Sequence, residues 1–175
     1  HDALPISAFI TALSALSSTS NVKSTSTTPL DIVLVLDASG SMDDPMNRND
    51  NTKRIDALKD AANDFVTTIA KQNQSISDSS KQHQVSIVKF SGNKSAAVGN
   101  DTYREGGYTY NYSQVMKAMS PCTDAAAFRN TINSINPAGS TRADYGLQLA
   151  DSQTSNREDA KKIVIFFTDG SPTSS

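Results

Sequence analysis

Three short polar stretches carry hard oxygen donors: Asp37-Ala38-Ser39-Gly40-Ser41, Gly139-Ser140-Thr141 and Thr168-Asp169-Gly170. The first follows an apolar run at 31–36, and the third follows another at 163–167. The second precedes a helical pattern at 142–153. In an open parallel sheet, ligands sit beyond the carboxyl ends of the strands. Asp37 and Asp169 would then end adjacent central strands, with their carboxylates facing each other. Two carboxylates held close resist ionising together unless a cation or a proton separates them. Ser39, Ser41 and Thr141 add hydroxyl oxygens. An all-oxygen set with two carboxylates suits Mg²⁺ or Mn²⁺, bound with several waters and an open position.

The elements that must position these residues are legible from hydrophobic period. Residues 31–36 (DIVLVL), rich in β-branched side chains, read as a strand buried on both faces. Over 53–71, Ile55, Leu58, Ala62, Phe65 and Ile69 recur at spacings of 3, 4, 3 and 4, one face of an amphipathic helix. Residues 84–91 (QVSIVKFS) read as a second strand with Val85, Ile87 and Phe90 inward. Gly92-Asn93 signals a turn, after which 96–98 is expected to return as a short antiparallel edge strand. Residues 99–120 read as irregular and hold Tyr103, Tyr108, Tyr110 and Tyr112. Helices are expected at 124–135 (Ala125, Phe128, Ile132, Ile135) and 142–153 (Ala143, Leu147, Ala150), and a last strand at 163–167 (IVIFF). Strands alternating with helices imply a doubly wound α/β fold: a mostly parallel, Rossmann-like sheet with helices on both faces.

With D-x-S-x-S at Asp37–Ser41, then Thr141, then Asp169 in TDG, the chain resembles von Willebrand factor type A domains that carry a metal ion-dependent adhesion site. The resemblance spans about residues 30–173. It implies that Ser39, Ser41 and Thr141 coordinate the ion, and that Asp37 and Asp169 bind it directly or through water. It also implies that the open position takes an acidic group from a protein or extracellular-matrix partner. The stretches YNYSQ, TRADYGLQLA and VIFFTDGSPT look most like A domains of bacterial pilus-tip and surface adhesins. A non-catalytic adhesion module at the cell surface is therefore the expected function. The family's fold continues after the TDG strand with further helices and strands. Residues 30–175 are thus expected to be an A domain incomplete at its C-terminus, with 163–167 left as an exposed apolar edge and the isolated chain poorly soluble.

Other readings of the same residues stand beside this one. Taken singly, Ser39, Ser41 and Thr141 read as helix or turn caps. Asp37 could accept a phosphoryl group in a Mg²⁺-dependent phosphohydrolase, but a dehalogenase-like enzyme wants a second Asp where Ser39 stands. An A domain inside a chelatase-like intracellular machine is a further alternative. The Asn/Asp-rich stretch 43–52 lacks a Ca²⁺ ligand spacing and reads as a solvated loop. The tyrosines at 103–112 form either a binding rim or a cover folded over the sheet. Asn73, Asn93, Asn100 and Asn111 match the glycosylation pattern. Cys122 reads as incidental, with His83 placed at the opposite start of a strand.

Composition narrows the classes. The 175 residues suffice for one sizeable core, and the formal net charge of −2 argues against a nucleic-acid surface. One cysteine permits neither an internal disulfide nor a thiolate cage. No apolar run is long enough to span a membrane. Residues 1–29 separate from the rest: 3–16 read as a secretory-signal remnant or a non-native lead, and 17–28 as a Ser/Thr-rich linker.

Overall fold

The unbroken apolar run forms strand β1 (Leu30–Asp37), and all but its first residue are buried. A continuous apolar strand needs cover on both faces, and here it has it. The structure is a computed structural model that describes residues 28–96, 101–153 and 155–169. The expected signal remnant and nearly all of the linker lie outside the described residues.

After β1 come a short 3₁₀ turn (Gly40–Asp43) and a small exposed hairpin, β2 (Pro45–Asn47) and β3 (Asp50–Lys53). The stretch expected as a solvated loop is therefore paired, though it remains mostly exposed. Helix α1 (Arg54–Gln74) follows. Its cap residue, Lys53, makes no side-chain cap bond. A missing cap costs about 0.5–2 kcal/mol. Ile55, Leu58, Phe65, Val66 and Ile69 of α1 are buried, and each such side chain contributes roughly 1.5–3 kcal/mol. Packing, and not local signals, holds this helix.

Strands β4 (Gln84–Phe90) and β5 (Ser95–Ala96) come next, then a hairpin of β6 (Thr102–Glu105) and β7 (Tyr108–Asn111), then β8 (Ser113–Pro121). Helices α2 (Ala125–Asn133) and α3 (Ala143–Ser152) precede β9 (Lys161–Phe167). The main sheet runs β5-β8-β4-β1-β9. Strand β1 pairs in parallel with both β4 and β9, and β8 pairs antiparallel to β4. One face carries Ile32, Leu34, Leu36 and Ile87 against α1 and α2. The other carries Val33, Val35, Val88 and Phe90 against Ala150 of α3. The doubly wound α/β expectation holds.

Three expectations need correction. The region 99–120 is mostly strand. Gly106 and Gly107, with φ of 57° and 87°, supply the left-handed pair that a tight hairpin turn requires. Strand β8 lacks an apolar alternation because it buries Ser113 and Gln114, and its register with β4 shifts at two places. The short strand at Ser95–Ala96 pairs in parallel with β8 instead of returning antiparallel; Val98 lies outside the described residues. Lastly, β9 is not a central strand but lies at the edge, as expected for 163–167: among the described residues its neighbour is β1, and Val164 is 47% exposed.

At the base of the sheet, the Asp31 carboxylate is buried and pairs with Arg157 and Ser155. Arg157 also donates to the carbonyls of Ser80 and Gln82, each at 2.9 Å. Asn73 ties α1 to the sheet, donating to the carbonyls of His83 and Cys122 and accepting from the His83 N–H. Asn73 and Asn111 are buried and bonded, so two of the four glycosylation matches are inaccessible in the folded chain.

Candidate functional site

Because β1 and β9 run parallel with Leu36 opposite Phe167, their ends are level. Asp37 closes β1, and Thr168 and Asp169 follow β9 directly. Asp37 is fully buried. Its Oδ1 accepts from the Ser39 N–H at 2.9 Å and its Oδ2 from the Thr168 hydroxyl at 2.8 Å. Burial pushes its carboxyl above the ordinary range and the charge of Asp169 adds to this, against the pull of the Ser39 and Thr168 donors. The hydroxyls of Ser39 and Ser41 lie 3.2 Å apart. Ser39 makes no side-chain cap bond to the turn it precedes, so the capping role is not the one it plays.

The second loop is fastened to the first. The Gly40 N–H donates to the Gly139 carbonyl at 2.8 Å, and the Ala138 N–H to the Ala38 carbonyl at 2.9 Å. Gly139 has φ of +94°, and a Cβ there would stand 2.6 Å from a ring carbon of Tyr110. The Ser91 hydroxyl contacts the carbonyls of Ala138 (2.5 Å) and Ser140 (3.0 Å). The Arg142 N–H donates to the Ser91 carbonyl, which leaves Thr141, 2% exposed, between these fixed points.

Asp169 completes the group, with its side chain 8% exposed. Its Oδ2 accepts from Arg54 Nη1 at 2.9 Å, while its Oδ1 is buried with no hydrogen-bond partner. The structure thus brings Asp37, Ser39, Ser41 and Asp169 to one end of the sheet, with Thr141 on the adjoining loop; Gly170 lies outside the described residues. No group of three His, Cys, Asp or Glu suited to a metal occurs among the described residues. Any ion here would depend on the hydroxyls as well as the two carboxylates.

Several supporting residues were not anticipated. Asn111 donates to the carbonyls of Ala38 (3.0 Å) and Asn136 (2.6 Å), linking the hairpin to the first loop. Beneath it lies Lys89, fully buried, with Nζ 3.4 Å from Asn111 Oδ1 and its ammonium pushed down to about 8 by burial. Arg54 had no sequence signal beyond a basic residue at the positive end of a helix. The tyrosines divide: Tyr103 is buried and stacks on Tyr110, whereas Tyr108 is 71% exposed. Tyr108, Thr109 and Tyr110 line an open groove with Gly139 and Ser140, beside the site. Contrary to the expected separation, Cys122 and His83 are neighbours: the Cys122 N–H donates to the His83 carbonyl. They do not form a reactive pair. Sγ contacts the Val66 carbonyl, and burial pushes the thiol up to about 12.

A sequence profile of the von Willebrand factor type A domain matches residues 31–175. No curated protein sequence matches the chain. Among solved structures, similarity extends to the vWF domain of the type V pili tip protein Mfa5 from Porphyromonas gingivalis. The TM-score is 0.54 at 18% identity, over 83% of this chain and 39% of that one. A point mutant of the PilB minor pilin from Streptococcus sanguinis gives 0.51 at 19% identity, over 85% and 31%. The pilus adhesin RrgA from Streptococcus pneumoniae gives 0.52 at 19% identity, over 83% and 21%. The chain therefore spans well under half the length of each of these proteins.

Proposed function

We propose that this chain, which belongs to the von Willebrand factor type A domain family, is a metal-dependent binding module. Asp37, Ser39, Ser41, Thr141 and Asp169 hold Mg²⁺ or Mn²⁺ in this reading. The ion would supply an open position for an acidic group from a protein or extracellular-matrix partner. The observation that carries the reading is Asp169 Oδ1, a buried carboxylate oxygen with no donor, beside a second buried carboxylate. Leaving a buried acceptor unpaired costs about 1–3 kcal/mol, and more for a charged one. A hard divalent cation removes that cost.

The chain's own residues supply rigidity. Asp37 is held through both oxygens, and the first two loops are joined through backbone bonds. The module is non-catalytic in this reading: His83 lies at the far end of β4, and the site offers carboxylates, hydroxyls and a guanidinium. Purified protein is expected not to hydrolyse a phosphomonoester in Mg²⁺. No described helix is long and apolar enough to cross a membrane. That the similar solved structures are pilus proteins supports a place on a bacterial cell surface, within a longer pilus or adhesin chain.

Calorimetric titration of Mn²⁺ into the parent protein and Asp37→Ala tests the site. The parent should bind one equivalent, and the variant should lose binding while keeping its far-UV circular dichroism. A parent that binds no Mn²⁺ or Mg²⁺ sinks the reading.

A further inference from the structure

We propose that the Arg54 guanidinium is a tethered cation that competes with the metal for Asp169 and so sets the affinity of the site. This rests on the metal-binding reading above. Arg54 Nη1 donates to Asp169 Oδ2 at 2.9 Å and to the Ser41 carbonyl at 3.3 Å, and lies 4.0 Å from Asp44 Oδ2. One nitrogen thus bridges the loop after β1 and the loop after β9, the two loops that bring the candidate carboxylates together.

Its placement on the helix is costly. Arg54 is the first residue of α1, and Lys53 before it offers no side-chain acceptor to the helix end. A cation there opposes the helix dipole. Asp169 offsets that cost, and the guanidinium in turn neutralises one of two facing carboxylates. That is the electrostatic task of a bound ion, done by a group of the chain itself. A guanidinium stays charged at any ordinary pH, so it cannot leave by losing a proton. It can leave by swinging outward: the Arg54 side chain is 33% exposed, whereas that of Asp169 is 8% exposed. The guanidinium has solvent beside it, whereas the carboxylate is shielded from solvent.

Two effects of opposite sign follow from removing the charge. Without metal, Asp37 and Asp169 face each other with less compensation, and the fold loses stability. With metal, a fixed positive charge no longer opposes the ion, and affinity rises. If Arg54 instead served to aim Asp169 at the ion, its loss would weaken binding, as loss of groups that orient metal ligands does.

The test uses the full chain as parent, Arg54→Gln and Arg54→Lys, with Mn²⁺ titrations and thermal melts with and without Mn²⁺. Arg54→Gln should bind Mn²⁺ about tenfold more tightly, the scale of one unit charge removed from a few ångströms away in a water-like dielectric. Its metal-free melting temperature should fall, and its rise on adding Mn²⁺ should exceed the parent's. Arg54→Lys, which keeps the charge, should stay within about threefold of the parent. Binding by Arg54→Gln that equals or falls below a parent that does bind overturns this inference alone. Absence of binding in every variant overturns it together with the metal reading.

Discussion

The backbone N–H of Gly40 donates to the carbonyl of Gly139 at 2.8 Å, so loops a hundred residues apart in sequence form one hydrogen-bonded unit. Gly139 holds a left-handed φ of +94°, and a Cβ would meet Tyr110 at both its ring and its Cα, 2.6 and 2.9 Å away. Backbone strain of this kind costs about 1–3 kcal/mol before any clash is counted. Gly139→Ala should therefore lower the melting temperature and weaken Mn²⁺ binding together. Unchanged melting would show that the loop has another conformation available.

In the proposed site Thr141 would contribute a hydroxyl oxygen from a residue that is 2% exposed. Thr141→Val keeps its shape and removes the oxygen. Mn²⁺ affinity should fall at least tenfold, with the far-UV circular dichroism of the parent retained. Full affinity in the variant removes Thr141 from the ligand set.

His83 gives the fold a pH dependence. Its Nδ1 accepts from the Leu30 N–H at 3.1 Å, which requires the neutral ring. Burial lowers its pKa below the ordinary 6.5, and the nearby Arg157 charge lowers it further. The unfolded chain then takes up this proton first as pH falls. The stability is fully present above about pH 6.5 and is lost as pH falls from there through the lower folded-state value. One proton allows a slope of at most about 1.4 kcal/mol per pH unit. Denaturant melts from pH 8 to 5 should show a smaller decline for His83→Gln than for the parent; parallel profiles would count against the assignment.

Asp31 is buried and Arg157 is its cationic partner. Removing one member of a buried pair leaves an uncompensated charge, at about 3–5 kcal/mol. Arg157→Ala should destabilise by that order. Asp31→Asn with Arg157→Ala should recover part of the loss, measured by chemical denaturation. A single variant as stable as the parent would place the pair in effective contact with solvent.

How much of this was legible depends on where the signal resides. Strands β1, β4 and β9 and the three helices stand out because apolar side chains repeat at one period over enough residues to fix both type and face. Asp37, Ser39, Ser41, Thr141 and Asp169 could be grouped because each lies beside the end of such an element. Strand β8 was hidden because Ser113 and Gln114, its buried residues, are polar, and the Ser113 hydroxyl takes its partners, the Ser91 N–H and the Gly92 carbonyl, from another loop. The Asn111 and Arg54 contacts were hidden for a related reason. Arg54 meets Asp169 across 115 residues of sequence, and no local pattern marks that meeting.

The central place of β1 has a mechanical consequence. The chain enters β1 at Leu30, at one end of the sheet, and the candidate site stands at the other, just past Asp37. Tension between the preceding chain and a partner held at the site would run along the strand axis. It would load the ladders to β4 and β9 side by side, seven register pairs with each, in shear instead of peeling them one bond at a time. Pulled between Leu30 and the site, the domain should yield at higher force than when β9 is peeled from the edge of the sheet, and single-molecule extension along the two directions would read that difference.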